Sequence, residues 1–424
     1  MNPSVVASLS SIAPANLPTQ RTEWAERHVE EILSVPFISE SVFRNVRTID
    51  GKTPHQSGDF LIMHRDISIL IEQKCQEDPS VRTTPKTELW AQKNAKAGWS
   101  QLRRALTRPK DRPVWCDHPR LGRVDFSDGL PTINHGLVIV EVFQTVNLEP
   151  EGRNLPLEYK GVPIGYFSVN DFLNLAVNLR SVPELLEYLD SRRALPQADL
   201  RVIGDEKSLF EFYLLNGCSF ADCVGRSDAR IAVAAQQDRL HEVLQWKYEA
   251  DQNAYLLEYV ADALATRDPH FARGLSPDLL AAYEPADQRR NYLKIQAALS
   301  DLRLRERAEL GRAFRGAIDK LSSEPQGFTF MSARLDSKPE WVYVFASSKK
   351  INRPEVLSRI TLLMRGAMAH YQKRKCLLVI DRDKESYEVA LSRPNFTPTL
   401  ADFERGQGLF GNLRVTSTPL DRMP

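Results

Sequence analysis

Gly58-Asp59-Phe60-Leu61-Ile62-Met63-His64-Arg65-Asp66-Ile67-Ser68-Ile69-Leu70-Ile71-Glu72-Gln73-Lys74 is the stretch that decides the fold. Phe60 to Met63 and Ile67 to Lys74 are apolar, β-branched runs either side of the polar corner His64-Arg65-Asp66, which predicts a hairpin. Side chains alternate along the second arm, so Ile67, Ile69, Ile71 and Gln73 face one way and Ser68, Leu70, Glu72 and Lys74 the other. The apolar half anchors this strand in a sheet. Its end carries a carboxylate and an ammonium pointing together, and burying them is costly unless they are paired or bind a metal. Asp59 begins the preceding arm and can lie beside Glu72. Two carboxylates brought together repel, and a hard divalent cation such as Mg²⁺ resolves that repulsion through oxygen ligands.

Upstream, Glu23 to Leu33 reads as a helix ended by Pro36, because Trp24, Val29, Ile32 and Leu33 share one face while Glu26 and Glu30 sit a turn apart. Val42 to Ile49 has strand character, and Gly51 to Gly58 reads as loop. Downstream, Trp90 to Leu106 predicts a helix stopped by Pro109, and Gly136 to Leu148 a largely buried strand. Residues 166 to 190 look helical, with Ser168 or Asn170 as the cap. From about Asp205 to Leu321 the pattern is almost wholly helical, with turn signals at Asn216-Gly217 and at Gly274 to Pro277. Phe328 to Met331, Trp341 to Ala346 and Cys376 to Asp381 then read as strands around a helix from Arg353 to Lys373. The expected organisation is a disordered tail over 1–20, a mixed α/β domain over 21–200, a helical region over 201–325 and a small α/β domain over 326–424.

The 424 residues, 42% hydrophobic and 26% charged, have ordinary globular composition. No apolar run reaches the roughly 18 residues that span a bilayer. The first twenty residues lack the positive start of a secretory signal, and five scattered cysteines suit reduced thiols better than a disulfide framework, so a cytoplasmic protein is expected. A net charge of +1 gives no global sign of nucleic-acid binding. Locally, ten Lys and Arg stand against three acids between Lys86 and Arg123. Such a run alone reads first as a solvated helix face.

An E-x-K on a strand is by itself usually a solvated face too. Joined to the apolar strand, Gly58-Asp59 and the flanking helices, it is more specific. Ser57-Gly58-Asp59-Phe60 followed by Ile69-Leu70-Ile71-Glu72-Gln73-Lys74 resembles the PD-(D/E)XK nuclease superfamily, restriction-endonuclease-like and Mrr- or NERD-like proteins included. The family's leading proline is glycine here. The resemblance covers about residues 21 to 150, with 200 as its outer bound, and implies an α/β fold with a mixed sheet core flanked by helices. It implies that Asp59, Glu72 and the main-chain carbonyl of Gln73 bind Mg²⁺ or Mn²⁺, with Glu26 as a further carboxylate and Glu30 as the second choice. Lys74 would be the catalytic lysine, Gln101 the helix glutamine facing the site, and Lys96, Arg103 and Arg104 contacts to the nucleic-acid backbone. The implied activity is metal-dependent endonucleolytic hydrolysis of DNA in defence against foreign DNA, with room for a homo-oligomer, since paired sites are usual where both strands are cut. The alternatives are a DNA-repair nuclease and a non-catalytic nucleic-acid-binding or assembly protein that keeps the fold.

Other features read more plainly. Cys116-Asp117-His118 has no second Cys/His pair at zinc spacing and reads as loop. His28, His55, His64 and His135 read as surface or core residues. The arginines of 302–320 are balanced by acids, as in a salt-bridged face or an oligomer contact. The cations between Lys349 and Lys375, with Trp341, Tyr343 and Tyr371 nearby, are weaker candidates for DNA contacts. Asp381 and Asp383 read as turn residues.

Overall fold

The computed structural model describes residues 29–30, 32–33, 41–50, 53–64, 67–75, 83–108, 113–118, 122–126, 131–142, 145–148, 154–220, 233–267, 294–295, 297–382, 386–392 and 397–411. The expected tail over 1–20 and most of the helix expected over 23–33, Glu26 included, lie outside them. The chain is mixed α/β, with a mixed sheet flanked by helices.

The hairpin forms as its sequence dictates. Strands β1 (Val42–Asp50), β2 (Thr53–His64) and β3 (Ile67–Lys74) make an antiparallel meander, with Phe60 opposite Ile71 and His64 opposite Ile67. The loop expected over 51–58 is mostly strand, since Thr53 to Gly58 pair with β1 out to Thr53 opposite Asp50. This segment is polar and shows no alternation, so only its partner strand gives it away. Beyond β1 lies the hairpin of β4 (Val114–His118) and β5 (Gly122–Phe126). The expected loop residues Cys116, Asp117 and His118 are therefore strand, with Asp117 accepting from Asn45 and His118 against the Phe43 ring.

On the other side β3 runs parallel to β6 (His135–Val140), and β6 parallel to β9 (Val162–Ser168), which turns back to β8 (Glu158–Tyr159). The sheet order is β5-β4-β1-β2-β3-β6-β9-β8. The buried strand expected over 136–148 stops at Val140, and β7 (Val146–Asn147) pairs with β10 (Val202–Ile203) instead.

Both faces of this sheet are covered, which explains the unbroken apolar runs Ile69 to Ile71 of β3 and Leu137 to Val140 of β6. Helix α1 (Thr84–Thr107) buries Ala91, Ala95, Gly98, Leu102 and Ala105 against Leu61, Leu70 and Val138. The small residues Ala91, Ala95, Gly98 and Ala105 recur at helical spacing and let the backbone approach closely. A β-carbon on Gly98 would lie 2.6 Å from a methyl of Val138. The opposite face, with Phe60, Ile69, Ile71, Ile139 and Phe167, packs on α2 (Val169–Leu179), α3 (Val182–Arg192) and α4 (Glu206–Leu215). The helix expected from 166 therefore begins three residues later. Ser168 is its cap, accepting from the Asp171 N–H while Asp171 accepts from the Ser168 N–H.

Helix α5 (Gln237–Arg267) joins two cores: Leu240 and Val243 belong to the first, Leu257 and Val260 to the second. The second is built on the sheet β11 (Gly327–Ala333), β12 (Trp341–Lys349), β13 (Lys375–Arg382) and β14 (Ser386–Leu391), in that order, with β12 and β13 parallel. Tyr343, Phe345, Leu377 and Val379 face α5 and α6 (Leu304–Ser322). Val342, Val344, Leu378 and Ile380 face α7 (Arg353–Tyr371) and Phe410 of α8 (Leu400–Phe410). Strand alternation alone sorts these two sets. No helix among the described residues is long and apolar enough to cross a membrane.

Candidate active site

The β2–β3 ladder ends at Phe60 and Ile71, just where the two carboxylates follow. Past that point Asp59 continues the connection with its side chain: its Oδ2 accepts from the Gln73 main-chain N–H at 2.6 Å. Its other oxygen accepts from Gln56 Nε2 at 2.7 Å. Both contacts fix the carboxyl next to Glu72. The irregularity is shared with β1, where the register shifts between Val46 and Arg47 and Asn45 adopts φ of 52°. Asn tolerates that left-handed geometry better than most residues.

Asp59 and Glu72 line one small cavity of about 110 Å³ together with Gln56, Gln101, Arg104, Ala105 and Arg108. Lys74 does not line it but stands beside Glu72, its Nζ 3.7 Å from Glu72 Oε2 and donating to the Gln73 carbonyl at 2.7 Å. Gln101 is exposed on α1 at the mouth. Arg104, expected to touch only nucleic acid, is also close enough to act on Glu72. Lys96 and Arg103 are exposed on the same helix away from the cavity lining. Glu30 forms an ion pair with Arg44 at 2.8 Å, while Glu26 lies outside the described residues.

Glu72 is buried, and that burial, reinforced by the charge of Asp59, pushes its carboxyl up to about 8 against the pull of Lys74 and Arg104. Burial also raises Asp59, opposed by the Lys74 ammonium, the Gln73 N–H and a hydrogen bond from Glu72. Two carboxyl groups that cannot both ionise cheaply share a proton, and this is the situation a divalent cation relieves. The donor set fits such a cation. Among the described residues no cluster of three His, Cys, Asp or Glu side chains could hold a metal. Two carboxylates and a carbonyl with water in the remaining positions are nevertheless enough for Mg²⁺, which keeps several waters.

Sequence reasoning missed Gln56, Ser57 and Arg108. Arg108 follows the last turn of α1, lines the cavity and donates to Ser57 on β2. The partners are 51 residues apart, and no spacing rule links them. The other set-aside features are explained locally: Asp381 is buried and accepts from Ser347, and Lys375 and Arg334 lie over the rings of Trp341 and Tyr371.

The chain matches no protein-family model, no curated protein and no solved structure.

Proposed function

We propose that the chain is a Mg²⁺- or Mn²⁺-dependent endonuclease of PD-(D/E)XK type that hydrolyses phosphodiester bonds of DNA. The observation that carries this reading is the meeting of Asp59 and Glu72 in one cavity, with Lys74 ion-paired to Glu72. Asp59, Glu72 and the Gln73 carbonyl would hold the cation, which when bound lowers the pKa of a water and offsets charge at the scissile phosphate. Glu72 must give up its proton for this, and Lys74 favours that loss. The Lys74 ammonium also stands where it can orient the attacking water or neutralise a phosphate oxygen. Gln101 can donate to substrate at the mouth, and Arg104 with the exposed Lys96 and Arg103 offers α1 to the phosphate backbone.

The test is incubation of the purified protein with plasmid, linear duplex, single-stranded DNA and RNA, with and without Mg²⁺ or Mn²⁺. Metal-dependent cleavage should be lost in Lys74→Ala and Asp59→Ala variants that keep the native circular dichroism spectrum. Cleavage by both variants at the wild-type level refutes the assignment. One observation favours a non-catalytic nucleic-acid-binding protein: Lys74 Nζ occupies the Gln73 carbonyl assigned to the cation. Calorimetry separates the two, because that reading requires no Mg²⁺ or Mn²⁺ binding and DNA affinity that survives changes at Asp59 and Glu72. Defence against foreign DNA, with repair as its competitor, is an analogy from the family.

A further inference from the structure

A second and larger cavity, of about 820 Å³, opens on the far side of Ala105 and Arg108, the two residues that line both. That volume lies within the range of small-molecule sites. Its chemistry is divided. Ile67, Ile133, Val162 and Leu186 give it aliphatic walls, while Arg108, Lys160 and Arg193 bring three cations to it. Asp190 is the one acid among its described lining residues, and it is held by His135 Nε2 at 3.0 Å. Among the described residues no carboxylate pairs with Arg108, Lys160 or Arg193. Three cations gathered around an apolar recess, unmatched by acids, fit a ligand with an anionic head and a flat uncharged body.

The backbone adds an independent observation. Lys160 and Gly161 make the two-residue turn between β8 and β9, with φ of 52° and 79°. Such a turn favours Asn-Gly, and a lysine in its first position is held in a conformation that costs it energy. Nothing in the turn itself requires a lysine; the cavity it borders gives a reason for one.

We propose that this cavity binds a nucleoside phosphate, with the phosphate at Lys160, Arg193 and Arg108 and the base against the aliphatic walls. The ligand is either a free nucleotide or the phosphorylated end of a nucleic-acid strand. Because Arg108 also lines the Asp59–Glu72 cavity, an anion that draws it away changes the wall of that cavity.

The experiment is calorimetric titration of the full chain, in EDTA, with dAMP, ATP and inorganic phosphate. Fluorescence anisotropy with a 5′-phosphorylated single-stranded oligonucleotide accompanies it. A nucleotide or the oligonucleotide should bind at least about tenfold more tightly than phosphate, and Lys160→Asn and Arg193→Glu should each weaken it about tenfold or more. Lys160→Asn should leave the melting temperature unchanged or higher, which separates a lost ligand contact from a damaged turn. Asp190→Asn should strengthen binding. Binding of the mononucleotides identifies a free ligand, and binding of the oligonucleotide alone a strand end. No binding of any nucleotide probe, phosphate binding as tightly as nucleotide, or affinity indifferent to both cation substitutions overturns the proposal. Asp59→Asn should retain binding whether or not Asp59 is catalytic, so the nuclease reading can fail without this one.

Discussion

Replacing Glu72 by glutamine should change the pH dependence of stability rather than stability at every pH. In the folded protein the carboxyl titrates at about 8, against an ordinary value near 4.5, first because it is buried and then because Asp59 stands beside it. A raised carboxyl pKa means the folded state holds a proton that the unfolded chain releases. Its stabilising contribution is therefore complete below about 4.5 and is lost as pH rises through about 8. Between those values each pH step costs about 1.4 kcal/mol, so the full loss is on the order of 5 kcal/mol. The side chain is only 6% exposed, so solvent screens little of this. Glutamine keeps the shape and carries no charge at any pH. Urea unfolding of wild type and Glu72→Gln in EDTA at pH 5, 7 and 9 should show similar stability at pH 5 and a variant more stable by several kcal/mol at pH 9. If the difference between the two proteins stays within about 1 kcal/mol across the range, Glu72 is not held protonated and the electrostatic argument for a cation between it and Asp59 fails. Should the cation bind, Mg²⁺ would restore wild-type stability at pH 9 and release a proton below pH 8, seen as a buffer-dependent heat of binding.

Gly98→Ala puts a β-carbon 2.6 Å from Val138 and 3.5 Å from Lys74 Cγ. It should cost about 1–3 kcal/mol in urea unfolding and lower cleavage, with Val138→Ala restoring both. In α8, Gly406→Ala meets the Gly366 carbonyl at 2.5 Å and should lower the melting temperature, whereas Gly408→Ala meets nothing within 4 Å and should stabilise by up to about 1 kcal/mol. Arg307 is fully buried, donating to the Leu302 carbonyl and to Glu184 and lying 3.8 Å from Glu258, which Arg180 also grips. Arg307→Met should cost about 3–5 kcal/mol by stranding buried charge, and a double cycle with Glu258→Gln should show coupling above about 1 kcal/mol.

The features legible in the sequence are those a single element decides. Alternation in β3 separated Ile69 and Ile71 from Leu70 and Glu72, and the two faces of the sheet receive them in that division. The stop of α1 before Pro109 was equally local, since the residue ahead of a proline is driven to extended backbone, as Arg108 is. Elements fixed by a distant partner were not legible. Thr53 to Gly58 is polar and reads as loop, yet β1 makes it strand. Val114 to His118 is short and carries Asp117 and His118, yet pairing with β1 on one side and β5 on the other makes it strand. Tyr166 and Phe167 continue an apolar pattern that suits a helix, and only the Ser168 cap marks where β9 ends.

The same division applies to the site. Glu72 and Lys74 share a face because only Gln73 separates them on one strand, so their pairing needs no knowledge of the fold. Asp59 reaches them for a reason the motif spacing does not contain: the ladder stops one residue earlier, and the Asp59 carboxyl takes the Gln73 N–H. Replacing that carboxyl by an amide keeps an acceptor there but removes half of the charge conflict with Glu72. Asp59→Asn should therefore bring the Glu72 titration down from about 8 while leaving the hairpin folded. The Glu72 carboxyl signal followed by NMR against pH reads this directly. An unmoved titration would mean that burial alone sets Glu72, and that the two carboxyl groups do not act as the pair a shared cation requires.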